Sequence, residues 1–411
     1  MRVRAGLSAT VATAVVLGLT AAAAPALASG SAPAPAAVAA GSRSEPDAKA
    51  LRAAIAGLPD ADAKALRAAI AGLPDADATA ALVRVRGKKT SWHGSSGVRD
   101  LVSGREANPE GRFRAGSTTK VVTAAVVLQL AAEGRVDLGA PVQRYLPELF
   151  GANADAFRKP ISVRQLLNHS SGLQPGRSLG KTFEELYANR FVTLTPQEVA
   201  VSSIAKGPAH DPGVKQEYLG INYTLLGLLI EKVTGHSYEQ EATRRVLKRA
   251  GMRHSSFPGT DPRIHGPHNR GYQAVEEPGG GTRLVDVTEW NQRDRMAGGD
   301  MISTTADLER LTVALFRGRI VPKPQLEEMF TVPKGIEGAT MSAGLTRFEA
   351  PDGRVVWLKT GGRHGYNSIL AATRNLDTVL VYSVNSTDAK GQDMNPVAQR
   401  IVGAAIGDPR G

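Results

Sequence analysis

The stretch RFRAGSTTKVVTAAVVLQLAAEGRVDL, residues 112–138, predicts a helix in the core of the protein. From Lys120 to Glu133 its side chains are apolar nearly all round, which is typical of a helix buried on every face, and Gly134 ends it. Ser117 stands at the start of this helix, three residues before Lys120. Residues three apart share one helix face, so the hydroxyl and the amine are expected within reach of each other.

Ser117 and Lys120 form a candidate pair of nucleophile and base. A serine hydroxyl is a weak nucleophile until a base removes its proton, and a lysine acts as that base only when its ammonium is destabilised. Burial in an apolar helix and a second cation nearby both lower a lysine pKa. The helix N-terminus also favours an anionic intermediate. The spacing alone favours a structural role, with Ser117 capping the helix and Lys120 in solvent.

A second motif ends an apolar strand near the C-terminus. The sequence VVWLKTGG, residues 355–362, presents the cation of Lys359 and the hydroxyl of Thr360 to an acidic, peptide-like substrate. Gly361 and Gly362 carry no side chain, so a ligand backbone can approach this strand closely. Taken by itself, the motif also fits an edge strand followed by a turn.

The rest of the chain predicts an α+β fold, with strands near both ends and helices between them. A strand begins near Ala78, and a hairpin continues to about Val102. Further strands are predicted at 339–348, 354–359, 368–373 and 378–384. Helices are predicted at 161–168, 183–190, 196–205, 222–234, 238–250 and 395–406, and a Gly- and Pro-rich loop at 266–284. We expect an antiparallel sheet flanked by helices, with a helical subdomain inserted at about 136–295.

Composition excludes several kinds of chemistry. The 411 residues include no cysteine, which removes disulfides, thiolate nucleophiles and Cys-ligated metal centres. Any chemistry must therefore come from hydroxyl, amine, imidazole or carboxylate groups. No basic run interleaved with aromatic residues occurs, so nucleic acid is not expected as a partner.

The first 28 residues have the pattern of a secretory signal peptide. Met1-Arg2-Val3-Arg4 is followed by an apolar run and by Ala26-Leu27-Ala28, a cleavage signal. We expect a secreted, extracytoplasmic protein, cleaved after about Ala28. An uncleaved anchor is the alternative, although the apolar run is short for a membrane span. Cleavage would leave 48 basic against 39 acidic side chains, a charge that either attracts anionic cell-wall polymers or serves solubility alone.

Residues 29–46 are rich in Ala, Pro and Ser and are predicted to form a flexible linker. The sequence DAKALRAAIAGLPDA then occurs twice, at 47–61 and 62–76, each time as a helix with a stop signal. Two copies are too few for a solenoid. We expect the second copy to be the first helix of the folded domain and the first to be spare, with a wall-binding repeat as the alternative. The catalytic domain is expected over 77–411.

The motifs together resemble a known family. The chain carries three motifs in this order: Ser-x-x-Lys at 117–120, a segment with Tyr218, and Lys-Thr-Gly at 359–361. The same order is found in serine D-alanyl-D-alanine carboxypeptidases and class C β-lactamases, the penicillin-recognising serine hydrolases, which this chain resembles. The resemblance covers about Leu66 to Ile406 and implies a β-lactamase/transpeptidase-like fold. Other matching stretches lie at 142–149, 161–173, 222–235 and 296–311.

The resemblance implies a role for each residue at the reacting bond. Ser117 is the nucleophile that becomes acylated, Lys120 is its base, and Tyr218 shares the proton transfers with the lysine. The implied protein is an exported D-alanyl-D-alanine carboxypeptidase that cleaves D-Ala-terminated peptidoglycan stem peptides. β-Lactams are the second class of carbonyl compound that suits such a site, and no metal or other cofactor is expected.

The resemblance also implies how the substrate is held. Lys359 and Thr360 bind the substrate carboxylate. They lie in the strand that continues into Gly361 and Gly362. The backbone N–H groups of Ser117 and Gly362 form the oxyanion hole. Substrate binding is therefore assigned to residues 359–362.

One position departs from the family pattern. Where the family carries Asn two residues after the motif tyrosine, this chain reads Tyr218-Leu219-Gly220. The missing amide would hydrogen-bond the amide of the substrate side chain. Asn222 lies close by and either caps the following helix or takes over in substrate binding. A β-lactamase, or an esterase or amidase for a smaller acyl group, is the alternative activity, and a penicillin- or peptidoglycan-binding protein with little turnover is the alternative of another class.

The remaining candidates are predicted to be structural. His169 follows an apolar helix and is expected to hydrogen-bond backbone groups. His265 and His268 are separated by Gly and Pro and lack a carboxylate motif, so no metal site is expected. His364 is expected in an exposed loop near the oxyanion hole. The run 296–301, with two glycines, is expected to pack behind the site without taking part in chemistry.

Overall fold

The computed structural model describes residues 63–87, 91–350, 353–391 and 393–406. The expected signal peptide, the linker and the first copy of the repeat lie outside these residues. Among the helices of the described part, none is both long and apolar enough to cross a membrane.

The elements are numbered in chain order over the described residues. The strands are β1 (Ala78–Arg86), β2 (Ser91–Gly97), β3 (Phe113–Arg114), β4 (Tyr272–Glu276), β5 (Thr282–Asp286), β6 (Ile302–Ser303), β7 (Thr346–Glu349), β8 (Val355–Arg363), β9 (Tyr366–Thr373) and β10 (Val379–Ser386). The helices are α1 (Ala63–Ala69), α2 (Thr119–Ala132), α3 (Val142–Tyr145), α4 (Pro147–Phe150), α5 (Val163–Leu167), α6 (Phe183–Ala188), α7 (Pro196–Ile204), α8 (Gly220–Thr234), α9 (Tyr238–Ala242), α10 (Lys248–Ala250), α11 (Thr305–Phe316), α12 (Lys323–Leu326) and α13 (Pro396–Ile406).

Six of these strands form the main sheet, in the spatial order β2-β1-β10-β9-β8-β7. Every neighbouring pair is antiparallel. β1 and β10, from opposite ends of the described chain, pair near the centre, with Leu82 opposite Ser383. Residues between β2 and β7, which include α2 to α12, lie outside this sheet. The predicted fold class, an α+β architecture with an antiparallel sheet flanked by helices, is confirmed.

The two faces of the sheet pack against different helices. On β9, Leu370 and Ala372 belong to a large hydrophobic cluster that includes α2, α8 and α11. Ile369 and Ala371 belong to a second cluster, formed with α1 and α13. Alternate residues of a strand point to opposite faces, so the sheet is the middle of three layers. α1 comes from the second copy of the repeat, and its Leu66 is fully buried.

The structure differs from the sequence predictions in three places. The stretch 266–284 contains β4 and the start of β5, a hairpin, where a loop was predicted. The predicted helix 238–250 is interrupted by a π-helical turn at Thr243–Leu247. The strand predicted over 339–348 begins only at Thr346. Local composition misled the first prediction, because the turn Gly279-Gly280-Gly281, with all three φ angles positive, makes the whole stretch look irregular.

Candidate active site

Ser117 and Lys120 meet at the start of α2. Ser117 lies in a 3₁₀ turn, Gly116–Thr118, that leads directly into this helix. The Lys120 Nζ lies 3.2 Å from the Ser117 Oγ. Lys120 is only 2% exposed, and no side chain caps either the 3₁₀ turn or α2. The structural alternative, a capping serine with a solvated lysine, is therefore wrong.

The surroundings of Lys120 favour an uncharged amine. Burial is the largest cause that lowers the pKa of Lys120, and the positive charges of Lys359 and Arg295 lower it further. Tyr218 acts in the opposite direction, chiefly through the electrostatic effect of its side chain on the Lys120 amine. A neutral amine has a lone pair for the Ser117 proton, so the geometry and the lowered pKa both fit a general base.

The carbonyl oxygen of Gly298 orients the Lys120 amine. It accepts a hydrogen bond from the Lys120 Nζ over 2.5 Å. The run 296–301 was expected only to pack behind the site, so this contact was missed by the sequence analysis. The same run also holds the start of α2, because the Ala297 carbonyl accepts from Thr123 and the Met301 N–H donates to Thr119. A backbone acceptor leaves no side-chain signature, and no sequence signal could have revealed it.

The ring of Tyr218 lies close to both lysines of the site. The Lys120 Nζ is 5.1 Å from the centre of its ring, and the Lys359 Nζ is 4.4 Å from it. The two lysine side chains near one ring bring the Ser-x-x-Lys helix and the Lys-Thr-Gly strand to the same tyrosine. The structure thus brings Ser117, Lys120, Tyr218 and Lys359 together.

β8 forms one wall of the cavity above Ser117. Thr360, Gly361 and Gly362 line it together with Ser117 and Tyr218. A Cβ added at Gly361 would clash with the carbonyl oxygen of Ala115, and one at Gly116 would lie 2.7 Å from the backbone nitrogen of Gly362. The strand therefore packs directly against the turn that carries Ser117. Only glycine permits this approach at Gly361.

A second cavity, of about 270 Å³, also borders Ser117 and shares Tyr218 and Gly362 with the first. Lys120 and Gly220 line it too. The rest of its lining includes apolar groups and several cationic side chains: Pro175, Leu179, Leu186, Val199, Trp290, Arg177, Arg295, Arg363 and Lys390. These apolar and cationic residues were not predicted as site residues, because they come from separate elements that only the fold brings together.

Asn222 is not brought into either cavity. The N-cap of α8 is Leu219, which makes no side-chain capping bond, so the predicted capping role of Asn222 is wrong. The Asn222 side chain is fully buried; its Oδ1 accepts from the Ser171 hydroxyl over 2.6 Å, and its Nδ2 lies 3.1 Å from the His169 Nδ1. Two side-chain partners inside the core hold this amide away from the substrate.

His169 supports the segment that carries Tyr218. Its carbonyl accepts from the Glu217 N–H over 2.8 Å, and its Nδ1 accepts from the Leu219 N–H over 3.4 Å. Its ring lies 4.6 Å from that of Tyr218. Burial, followed by the charges of Lys120 and Lys359, lowers the pKa of His169 well below its usual range. The expected structural role is confirmed, and the imidazole is neutral.

The other histidines are divided between the cavity wall and the surface. His364 was expected in an exposed loop, but it is 7% exposed and stacks on Trp290 with ring centres 5.0 Å apart, so that prediction is wrong. His265 pairs with Asp261 over 2.7 Å at the surface. Among the described residues, no group of three His, Asp or Glu side chains could hold a metal ion.

These contacts define a class of protein. A serine hydroxyl with an amine of lowered pKa beside it, and a strand that presents a cation, form the site of a serine hydrolase that works by acyl transfer. Residues 66–403 match the Beta-lactamase protein family. The chain therefore belongs to this family of β-lactamase/transpeptidase-like serine hydrolases, as the motifs indicated.

Similar proteins of known name lie within the same superfamily. A solved D-stereospecific amidohydrolase from Streptomyces is 30% identical, with a TM-score of 0.70, over 84% of this chain and 98% of that one. A penicillin-binding protein homologue from Pyrococcus abyssi is 25% identical, with a TM-score of 0.65, over 79% of this chain and 73% of that one. Protein flp of Staphylococcus aureus is 31% identical over 56% of this chain, which corresponds to 43% of its own length, so the match spans less than half of that relative.

Proposed function

We propose that this chain hydrolyses the amide bond that follows a D-amino acid, as a D-alanyl-D-alanine carboxypeptidase does on peptidoglycan stem peptides. The observation that carries the proposal is the Lys359 ammonium, whose Nζ lies 4.4 Å from the centre of the Tyr218 ring, while the Lys120 Nζ lies 5.1 Å from the same ring. A cation at this place suits a C-terminal carboxylate on the leaving amino acid. The similarity to a D-stereospecific amidohydrolase supports the choice of a D-residue.

The reaction proceeds in two acyl transfers. Lys120 takes the proton of Ser117, and the Oγ attacks the carbonyl carbon while the N–H groups of Ser117 and Gly362 bind the oxyanion. The C–N bond then breaks, and the leaving amine takes a proton by way of Lys120 and Tyr218. Water, deprotonated by the same groups, attacks the ester and releases a peptide shortened by one D-alanine.

The test compares two diastereomeric peptides. Release of alanine from a diacetylated tripeptide ending in D-Ala-D-Ala should exceed release from its D-Ala-L-Ala counterpart by about tenfold or more, since a mirrored leaving group misplaces its carboxylate. Intact mass after reaction with benzylpenicillin should show one adduct. Ser117→Ala should abolish both signals, and unchanged labelling of that variant would remove Ser117 as the nucleophile.

A second activity, hydrolysis of small amides, is favoured by Gly220. The absence of a side chain there removes the expected contact with an acylamino group, and a Cβ built at this position meets nothing within 4 Å. A short D-amino acid amide would fit without that contact. Faster turnover of such an amide than of the tripeptide would favour the amidase. Fast turnover of benzylpenicillin would favour a β-lactamase. A stable penicillin adduct without peptide turnover would favour a penicillin-binding protein.

Export and attraction to anionic cell-wall polymers belong to the same proposal. An open groove of about 410 Å³, separate from the catalytic cavities, supports the second part, since it is lined by five arginines and one glutamate: Arg84, Arg86, Arg249, Arg310, Arg319 and Glu309. Guanidinium groups suit phosphate and carboxylate polymers. Arg249→Gln with Arg319→Gln should weaken sedimentation with wall fragments more than the charge-matched control of Arg144→Gln with Arg158→Gln. The N-terminal sequence of the exported protein tests cleavage after Ala28.

A further inference from the structure

Lys390 donates a hydrogen bond to the strand that lines the active site. Its Nζ lies 2.6 Å from the carbonyl oxygen of Gly362. Lys390 belongs to the segment that follows β10, and its side chain borders both cavities that meet at Ser117. Neither of the two sequence motifs includes it.

The position of Gly362 locates the Lys390 ammonium relative to the reacting bond. The N–H and C=O of one strand residue point to the same side of the strand. The N–H of Gly362 is the expected oxyanion donor, so its carbonyl faces the same substrate. The Lys390 ammonium, bonded to that carbonyl, therefore lies beside the acyl half of the substrate.

The segment that carries Lys390 is fixed to the rest of the protein. The Thr387 N–H donates to the Asp77 carbonyl over 3.0 Å, and the amide of Asn367 donates to the Ala389 carbonyl over 3.1 Å. The Asp388 carboxylate accepts from the Gln273 amide over 3.3 Å. The ammonium is thus presented by an anchored turn, which lowers the entropy lost when it binds a ligand.

The hydrogen bond from Lys390 to Gly362 changes which groups are available to bind the acyl half of the substrate. An acylamino N–H could donate to the Gly362 carbonyl, but Lys390 already donates there. Gly220 also lacks the side-chain amide that would bind the acylamino carbonyl. A group that accepts hydrogen bonds and carries negative charge would instead gain the ammonium as a partner.

In the wider cavity, cationic side chains outnumber acidic ones. Besides Lys120, four cationic side chains border it: Arg177, Arg295, Arg363 and Lys390. Among the described lining residues, Asp294 is the acidic one. Asp294 pairs with Arg295 over 2.9 Å, and Arg177 lies 3.7 Å from Glu198. The indole of Trp290 adds an apolar surface to the lining of this cavity.

We infer that the preferred acyl donor carries a carboxylate on its acyl half, close to the reacting carbonyl, and that Lys390 binds it. The inference rests on the proposed acyl-transfer function and specifies its substrate class. This carboxylate on the acyl half is distinct from the carboxylate on the leaving half, which we assign to Lys359 and Thr360.

Three penicillins test it, because they share the leaving half and differ in the charge of the acyl side chain. Carbenicillin adds a carboxylate to the benzylpenicillin side chain, and ampicillin adds an ammonium. The second-order rate of Ser117 acylation should be highest for carbenicillin and lowest for ampicillin, with about a fivefold step at each change. The steps should shrink as salt is raised.

In Lys390→Gln, the ratio of the acylation rate with carbenicillin to that with benzylpenicillin should fall close to one. The control Lys248→Gln changes an exposed lysine outside the cavities and should keep the ratio of the unaltered protein. Equal rates for the three penicillins in the unaltered protein, or an unchanged ratio in a folded Lys390→Gln variant, would overturn the inference and leave the proposed function standing. Failure of all three penicillins to acylate Ser117 would overturn the proposed function and the inference together.

Discussion

The cleft has two unlike walls, one made by β8 and one by the segment Tyr218-Leu219-Gly220 at the start of α8. Each wall contains a glycine beside the catalytic pair. At Gly361, on β8, a Cβ would clash with the Ala115 carbonyl, whereas at Gly220 a Cβ would meet nothing within 4 Å. The sheet wall is fixed by packing against the nucleophile, while the helical wall has room for another side chain. The departure from the family pattern falls on the wall where packing permits it.

The largest effect is expected between the two walls, at Lys120. Lys120→Ala removes the amine that lies 3.2 Å from the Ser117 hydroxyl. General-base catalysis contributes about 10²- to 10⁴-fold, so acylation by benzylpenicillin should slow by that factor. Stopped-flow measurement of acylation, with circular dichroism to verify folding, checks this. A rate within a factor of two of the unaltered protein would contradict the assignment of the base.

The next change compares the two walls directly. Gly361→Ala should displace β8 from the Ser117 turn, with a loss of about 1–3 kcal/mol in the free energy of unfolding and most of the activity. Gly220→Ala adds the same methyl group to open space and should leave the folded structure intact. Urea unfolding and peptide turnover of both variants measure the contrast. Equal losses in the two variants would show that the walls do not differ in this way.

Lys359→Gln tests the electrostatic part of the sheet wall. The charge of Lys359 lowers the pKa of Lys120, so its removal should raise that pKa. Lys120 would then stay protonated to a higher pH, and the acid limb of the profile of kcat/KM against pH should move upward. At neutral pH the tripeptide should also lose roughly tenfold in kcat/KM through weaker carboxylate binding. An acid limb at the original pH would show that the two lysines are not coupled.

Gly220→Asn sharpens the comparison on the helical wall. The added amide restores a contact with the acylamino group of the substrate, and one hydrogen bond contributes about 0.5–1.5 kcal/mol, or roughly two- to tenfold in kcat/KM. Gly220→Ala is the matched control, since it adds volume without the amide. No gain over that control would mean that another group, such as Lys390, already compensates for the missing contact.

The smallest effect concerns the support behind the helical wall. The pKa of His169 is lowered in the folded protein, so below pH of about 6.5 the unfolded chain binds a proton that the folded chain does not. The free energy of unfolding should therefore decrease as pH falls, by up to about 1.4 kcal/mol per pH unit from this residue. His169→Asn, which tolerates the φ of 61°, should flatten this slope. If the free energy of unfolding fell equally steeply with pH in both proteins, His169 would be excluded as the source of this pH dependence.

The sequence predicted the catalytic pair because both members lie on one helix, where spacing translates directly into proximity. Ser117 and Lys120 needed only the three-residue interval. Lys359 and Tyr218 were placed by resemblance, since no local rule connects a strand to a loop more than a hundred residues away. The carbonyl of Gly298 and the side chain of Lys390 could not be predicted, because a backbone acceptor has no residue signature and an anchored loop is positioned by long-range contacts.

The fold shows the same division between local and long-range information. The apolar run of α2 and the strands of the main sheet follow from their own residue patterns. The β4–β5 hairpin was missed, because its glycines are equally typical of a loop. Asn222 was misplaced for a related reason: a residue near a helix start fits a cap, but here Ser171 and His169 offered its amide better partners inside the core.

The pairing of β1 with β10 has a consequence for how the protein is made. β1 emerges from the ribosome well before β10, the strand that completes its hydrogen-bond ladder and ends at Ser386. Until then β1 presents an open edge to any neighbouring chain, which invites aggregation of the nascent polypeptide. A product that terminates before residue 379 would keep that edge permanently, even though its nucleophile and both lysines of the site are already present.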